Sequence, residues 1–253
     1  MPAPAEDWAY FFDVDGTLVD IAETPEGVCV APGLQRLIES LYGSTDGAVA
    51  LISGRSIADI DRLFPGVRLP VAGQHGIERR DFSGRIHRRA SAPAQLDRVR
   101  NRMAEAVARH PGLLLEDKGL SLALHYRRAP RLGSFVHRLL RLLAAQAGPE
   151  YCLQSGKFVV EIRPVGGDKG AAILAFMRDP NFRGRTPVFV GDDITDEDGF
   201  EVVNRLGGYT VKVGAGQSVA RLRLPDVAAV RQWLEHAASR PQGKNCAVEQ
   251  EDP

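Results

Sequence analysis

Residues 10–17 read Tyr10-Phe11-Phe12-Asp13-Val14-Asp15-Gly16-Thr17. Three aromatic residues in a row predict a short buried strand, and the aspartates mark where it ends in polar surroundings. Residues two apart on extended chain project to the same side, so Asp13 and Asp15 hold two carboxylates close together. Left unneutralised they repel and raise a pKa, and the arrangement asks for a cation or for separate acid and base duties. Gly16 permits the tight turn that follows. Taken alone, such a pair reads equally well as a polar strand-end turn.

Working outward, the pattern recurs. Gly47 to Ile52 (GAVALI) precedes Ser53, and Pro187 to Val190 (PVFV) precedes Gly191-Asp192-Asp193. Between them Leu34, Leu37, Ile38 and Leu41 follow helical spacing after Pro32, a residue suited to a helix start. Alternating strands and helices predict an α/β fold, a parallel sheet flanked by helices, with ligands bound beyond the carboxyl ends of the strands. The polar clusters fall at those ends, so three distant segments are expected to meet in one site.

The middle of the chain reads differently. A hairpin over Gly76 to His87, turning at Ser83-Gly84, leads to a helix pattern at Leu96, Val99, Met103 and Val107 and to strands at Leu113–Leu115 and Leu120–Tyr126. A second helix fits Leu132 to Leu143, followed by strands near Tyr151–Leu153 and Phe158–Ile162. This is an α+β insertion of domain size. Charge marks the same stretch: residues 79–165 hold 17 Lys or Arg against 7 Asp or Glu, while the rest of the chain holds 15 against 25. The expected organisation is a core over 1–79 and 165–240, an inserted basic cap over 80–164, and a polar, disordered tail over 241–253.

Composition narrows the function classes. A chain of 253 residues, 44% hydrophobic, can bury a full core. No uncharged apolar run is long enough to span a bilayer and the first residues lack the blocks of a signal peptide, so the chain is expected in the cytoplasm with no membrane partner. Cys29, Cys152 and Cys246 are odd in number and widely spaced, which speaks against a disulfide framework or a zinc site. The arginine-rich stretches lack the aromatic interleaving of single-strand binders, so no nucleic-acid partner is expected and the basic face is read as solvated. A monomer is expected.

Three further elements carry chemistry. Asp192, Asp193 and Asp196 form a second acidic cluster whose oxygen-only character favours Mg²⁺, although Thr195 or Asp196 also suits capping of the next helix. Ser53-Gly54-Arg55 offers a hydroxyl, a close-approach glycine and backbone N–H groups near a helix start, fit for a phosphate oxygen. Lys169 stands before an apolar helix where its ammonium can neutralise phosphate and balance carboxylates. Each is weak alone. Together they occur in order at strand ends and helix starts.

In that order the sequence resembles the haloacid dehalogenase superfamily of phosphatases over nearly all of residues 8–235. The resemblance implies a Rossmann-like core with an α/β cap of the second type, Asp13 as nucleophile and Asp15 as acid and base. It also implies Mg²⁺ held by the Asp13 carboxylate, the Asp15 carbonyl and Asp192, with Ser53, Gly54 and Lys169 on the phosphoryl oxygens. Thr17 would bind phosphate or orient Asp15, Asp193 would steady Lys169 or a metal-bound water, and Arg55 and Asp196 would support.

A narrower resemblance, to trehalose-6-phosphate phosphatases, rests on GDDITDE at 191–197, Gly73-Gln74-His75-Gly76, Lys118, His125-Tyr126-Arg127, Gly156-Lys157 and Glu161-Ile162-Arg163-Pro164. It implies a small-molecule sugar phosphate substrate, met by Gln74, His75, Lys118, His125, Arg127, Gly156, Lys157 and Glu161. A phosphatase for another sugar or glycerate ester of the sucrose or mannosylglycerate type, and a non-hydrolysing sugar-phosphate binder, remain as alternatives; retention of both Asp13 and Asp15 weighs against the last.

Overall fold

The computed structural model describes residues 2–22, 27–66, 68–88 and 93–238. The elements run β1 (Trp8–Phe12), α1 (Pro32–Ser44), β2 (Val49–Ile52), α2 (Ile57–Leu63), β3 (Val71–Gly73), β4 (Glu78–Arg80), β5 (Ile86–Arg88) and α3 (Pro93–Arg109). They continue with β6 (Leu114–Asp117), β7 (Leu122–His125), α4 (Gly133–Ala147), β8 (Tyr151–Gly156), β9 (Val159–Pro164) and α5 (Lys169–Phe176). The last are β10 (Thr186–Gly191), α6 (Glu197–Arg205), β11 (Tyr209–Val213), β12 (Leu222–Leu224) and α7 (Val227–Ala238).

An eight-stranded sheet takes the order β12-β11-β10-β1-β2-β3-β4-β5, parallel from β12 through β3. Alternation along β1 sorts its side chains onto two cores. Tyr10 and Phe12 pack with Leu34, Ile38 and Leu41 of α1 and with Trp233 of α7, whereas Phe11 packs with Phe176 of α5, Phe182 and Phe200 of α6. Each of these rings contributes about 1.5–3 kcal/mol by leaving water. Pro32 opens α1 where its missing N–H costs nothing.

A separate antiparallel sheet, β6-β7-β9-β8, carries α3 and α4 on one face. Leu96, Val99, Met103, Leu122, Leu124, Val136, Leu140, Val160 and Ile162 close a third core there. The hairpin β4–β5 does not join this layer. It extends the large sheet antiparallel to β3, so a boundary at residue 80 falls inside β4. Propensity alone cannot tell which sheet a polar hairpin completes; the free edge of β3 decides it.

Among the described residues no helix is long and apolar enough to cross a membrane. Cys29 and Cys152 are free thiols. Cys246 and the tail over 241–253 lie outside the described residues.

Candidate active site

From β1 the chain proceeds to β2 on one side of the sheet, while β10 lies on the other, so the crevice beyond their carboxyl ends is a topological switch point. Phe12 pairs with both Leu51 and Val190, which sets Asp13 level with Ile52 and Gly191. The Asp13 N–H donates to the Val190 carbonyl at 2.9 Å and the Ser53 N–H to the Ala72 carbonyl at 2.8 Å. Three strand ends thus carry Asp13, Ser53 and Asp192 to one place.

Lys169 binds that place from the start of α5. Its Nζ donates to Asp13 Oδ1 at 2.7 Å and to Asp196 Oδ1 at 2.6 Å, with all three side chains buried. Burial alone would lower the Lys169 pKa, but Asp13 and Asp196 hold it above the ordinary lysine value. Among the described residues Lys169 makes no ion pair with Asp193, one of the two roles expected of that carboxylate. Asp193 instead caps the short turn Ile194–Asp196, accepting the Ile194 N–H at 2.7 Å. Nor does the Thr195 or Asp196 side chain cap α6: Asp196 Oδ2 accepts the N–H groups of Asp192 and Asp193 at 3.0 and 2.9 Å. A side chain turned back on its own loop leaves the helix end to others.

Asp13, Asp192 and Asp196 offer carboxylate oxygens within 4.8 Å of one another. Asp196 is committed at both oxygens, whereas Asp192 Oδ1 is buried without a partner, as is Thr17 Oγ1. Burial, then Lys169 acting against it, leaves the Asp13 carboxyl well above its ordinary range; burial, then Asp196, pushes Asp192 up to about 6. Crowded, under-neutralised oxygens and an orphaned buried acceptor fit a hard divalent cation. Gly16 is required here twice over. Its φ is +86°, and a Cβ would fall 2.1 Å from Asp192 Oδ2.

This arrangement predicts a pH-dependent response to Mg²⁺. Because the Asp192 carboxyl is raised, its ionisation costs the metal-free fold stability as pH rises from 3.8 through about 6. A cation removes that cost, and protons compete with it below about pH 6. Saturating Mg²⁺ is expected to raise Tm by roughly 5–10 °C at pH 7.5, the equivalent of about 2.7 kcal/mol at a hundredfold excess over Kd, and by much less at pH 5. Thermal melts with Mg²⁺ and EDTA at both pH values measure it; equal shifts would remove these carboxylates from the site.

Asp15 lies beside the cluster, gripped by Arg55, whose Nε and one terminal nitrogen donate to its two oxygens at 2.7 Å each. Ser53 Oγ accepts the Arg55 N–H at 3.1 Å, bracing the same turn. Lys212, unremarked in the sequence because it lies on a strand with no motif, is buried and donates to the Asp192 carbonyl.

Above this centre opens a cavity of about 400 Å³, walled by Asp13, Asp15, Gly54, Arg55, Asp192 and Asp193 below and Glu116, Lys118, His125, Arg127 and Lys157 above. The upper wall follows from strand register. Glu116, Ala123, Glu161 and Gln154 stand opposite one another across the small sheet, on the face turned from α3 and α4. Lys118 Nζ donates to Glu161 Oε2 at 2.9 Å, and His125 Nε2 lies 2.7 Å from Glu116 Oε2. Burial would push Glu161 up, but Lys118 and then His75 hold it down at about 2.

Of the expected sugar contacts, Lys118, His125, Arg127, Lys157 and His75 reach the cavity wall. Glu161 lies just behind, paired with Lys118. Gln74 is buried beneath, and Gly156 sits at the β8–β9 turn away from the wall, where a Cβ would strike Val159 at 2.8 Å. Glu116 carries no motif in the sequence; it lies on β6, two residues before Lys118, which follows the end of that strand at Asp117.

An open, largely parallel sheet with this carboxylate and lysine constellation at its switch point, under an inserted α/β layer, is the architecture of a phosphatase. Its fold is shared with the C-terminal domain of Candida albicans trehalose-6-phosphate phosphatase, at 24% identity and TM-score 0.79 over 90% of this chain and 91% of that one. A second solved structure, of a trehalose-6-phosphate phosphatase related protein, is 29% identical with TM-score 0.75 over 90% and 96%. Residues 11–227 match the trehalose-phosphatase family. The trehalose-6-phosphate phosphatase of Escherichia coli K12 is 45% identical over 96% of this chain and 91% of its own length. A probable trehalose-phosphate phosphatase of Sinorhizobium fredii is 44% identical over 83% and 78%. The chain belongs to the trehalose-phosphatase family.

Proposed function

We propose that this phosphatase hydrolyses trehalose 6-phosphate to trehalose and phosphate, with Asp13 as the nucleophile. The observation that carries the reading is the buried Asp13 carboxylate, tied through one oxygen to Lys169 and facing the cavity. Asp13 attacks phosphorus in line, the phosphorus–sugar oxygen bond breaks, and Asp15 gives the leaving oxygen a proton. Asp15 then takes a proton from water as the water attacks phosphorus, releasing phosphate and restoring Asp13. The first step requires Arg55 to loosen its grip, because a bidentate guanidinium favours the ionised carboxylate over the protonated acid that must donate.

Lys169, the Ser53 hydroxyl and the Gly54 turn would hold the phosphoryl oxygens, and Thr17 Oγ1 has a free valence for the same task. Bound by Asp13, the Asp15 carbonyl and Asp192, Mg²⁺ would supply neutralisation of phosphoryl charge. The layer over 93–164 serves as the cap, its Lys118–Glu161 and His125–Glu116 pairs with Lys157 and Arg127 offering donors and acceptors to sugar hydroxyls. Family membership and the 45% identical relative support the choice of sugar.

Phosphate release from a panel of sugar phosphates, with Mg²⁺ and with EDTA, tests the proposal. The expected result is strong preference for trehalose 6-phosphate and loss of release in EDTA. Comparable turnover of sucrose or glucose phosphates would assign a different substrate, and tight binding without release would make the chain a sensor.

A further inference from the structure

Between the phosphoryl site and the polar face of the small sheet stands one dipeptide, Gln74-His75, in a conformation neither residue prefers. Both have positive φ, 49° and 57°. Such left-handed backbone is unfavourable for non-glycine residues and persists only where the surroundings impose it. Here they impose it from two sides.

Toward the core, the Gln74 N–H donates to the Arg55 carbonyl at 2.8 Å and the His75 N–H to the Ser53 carbonyl at 2.9 Å. The backbone is thereby clipped to the turn that carries Ser53 and the arginine gripping Asp15. Toward the cap, Gln74 Nε2 donates to the Lys118 carbonyl at 2.8 Å, and Gln74 Oε1 accepts the Ser121 hydroxyl at 3.1 Å. His75 Nε2 lies 3.8 Å from Glu161 Oε2 and 3.5 Å from Gln154 Nε2. The ring also packs on Gly54, where a Cβ would fall 2.7 Å from Nε2. Gly54 is not in the left-handed region, so its missing side chain serves this close approach rather than a turn. Burial drives the His75 pKa down to about 3, which makes the imidazole a neutral spacer at working pH.

We propose that His75 is a positioning residue that selects for substrate length: its imidazole, wedged between Gly54 and Glu161, sets the span from the Lys118–Glu161 pair to the phosphate-binding turn. A substrate that touches both ends depends on that span. One that touches only the phosphate end does not. The inference rests on the reading of Asp13 as nucleophile and of Lys118–Glu161 as a sugar contact, and it adds the element that gauges the distance between them.

His75→Asn removes the ring while keeping the backbone N–H and a side chain that tolerates left-handed backbone. The readout is the ratio of kcat/KM for trehalose 6-phosphate to kcat/KM for a small aryl phosphate, with Tm followed alongside. The ratio is expected to fall on the order of 10²-fold, the scale of a misplacement near 1 Å. Gly54→Ala should lower the same ratio by pushing the ring aside, beyond any loss at the phosphate end that both substrates share, and once His75→Asn is present the methyl should lower the ratio little further, because it no longer has a ring to strike. An unchanged ratio in His75→Asn, or losses from the two substitutions that simply add, would overturn the proposal. Failure of the underlying reading shows separately, as aryl phosphate hydrolysis that survives Asp13→Asn.

Discussion

Asp13→Asn is expected to abolish phosphate release, with kcat reduced by at least ~10⁴-fold, the scale of losing a covalent nucleophile. The same change should leave the fold standing. Asp13 is buried, and its carboxyl is held above the ordinary range by burial, so at neutral pH its charge burdens the metal-free protein. An amide of the same shape carries no charge, and Lys169 keeps Asp196 as a partner at 2.6 Å. In EDTA the variant should therefore melt at or above the wild-type temperature at pH 7.5, while its gain in Tm from Mg²⁺ shrinks because one ligand is gone. Near-native release by Asp13→Asn would exclude the nucleophile assignment. A large drop in Tm in EDTA would show that the carboxylate holds the core together rather than serving the reaction.

Lys169→Met should have the largest effect on stability. The ammonium is buried and touches Asp13 and Asp196 at once, so removing it leaves carboxylates without their counter-charge. Breaking a buried pair from one side costs about 3–5 kcal/mol, or a fall in Tm of roughly 6–20 °C for a chain of this size. The sign of the pH dependence follows from the carboxyls. Those of Asp13 and Asp192 are already raised, the latter to about 6, and loss of Lys169 raises them further. Below that range they hold protons and no longer need the lysine, so the deficit should be largest at pH 7.5 and shrink toward pH 5. Urea or thermal unfolding of both proteins at the two pH values measures it. A deficit that does not change with pH would mean that Lys169 contributes by packing rather than by charge.

The two variants also separate the halves of the site. Asp13→Asn removes the proposed nucleophile and relieves charge crowding; Lys169→Met removes the group that lets the carboxylates share the crevice. Both should be inactive, yet their stabilities should move in opposite directions in EDTA. The charge crowded among these carboxylates is what the proposed cation would offset.

Much of this was legible in the chain. The aromatic run before Asp13, the apolar runs before Ser53 and Asp192, and the helix after Pro32 each declare their element through local pattern, and the structure has β1, β2, β10 and α1 there. Strand ends in a parallel sheet converge by topology, so the meeting of Asp13, Ser53 and Asp192 follows from chain order, whereas Lys169, at the start of α5, was expected there from the resemblance. Partner choice was another matter. Asp193 and Asp196 both follow the same strand, and only the fold of their loop sends Asp196 inward to Lys169 and Asp193 outward to a cap.

The sequence by itself determined the layer order and the chemistry at the strand ends, because periodicity and strand alternation are local properties that every few residues restate. Tertiary structure alone decided that the hairpin at 78–88 completes the large sheet, that Glu116 joins His125 and that Arg55 clasps Asp15. It also decided that a strained Gln74-His75 links the Ser53 turn of the large sheet to the Lys118–Ser121 segment between β6 and β7. Those outcomes depend on which sheet edge is vacant and which charges lie within a few ångströms after packing, and neither distance is written in the order of the residues.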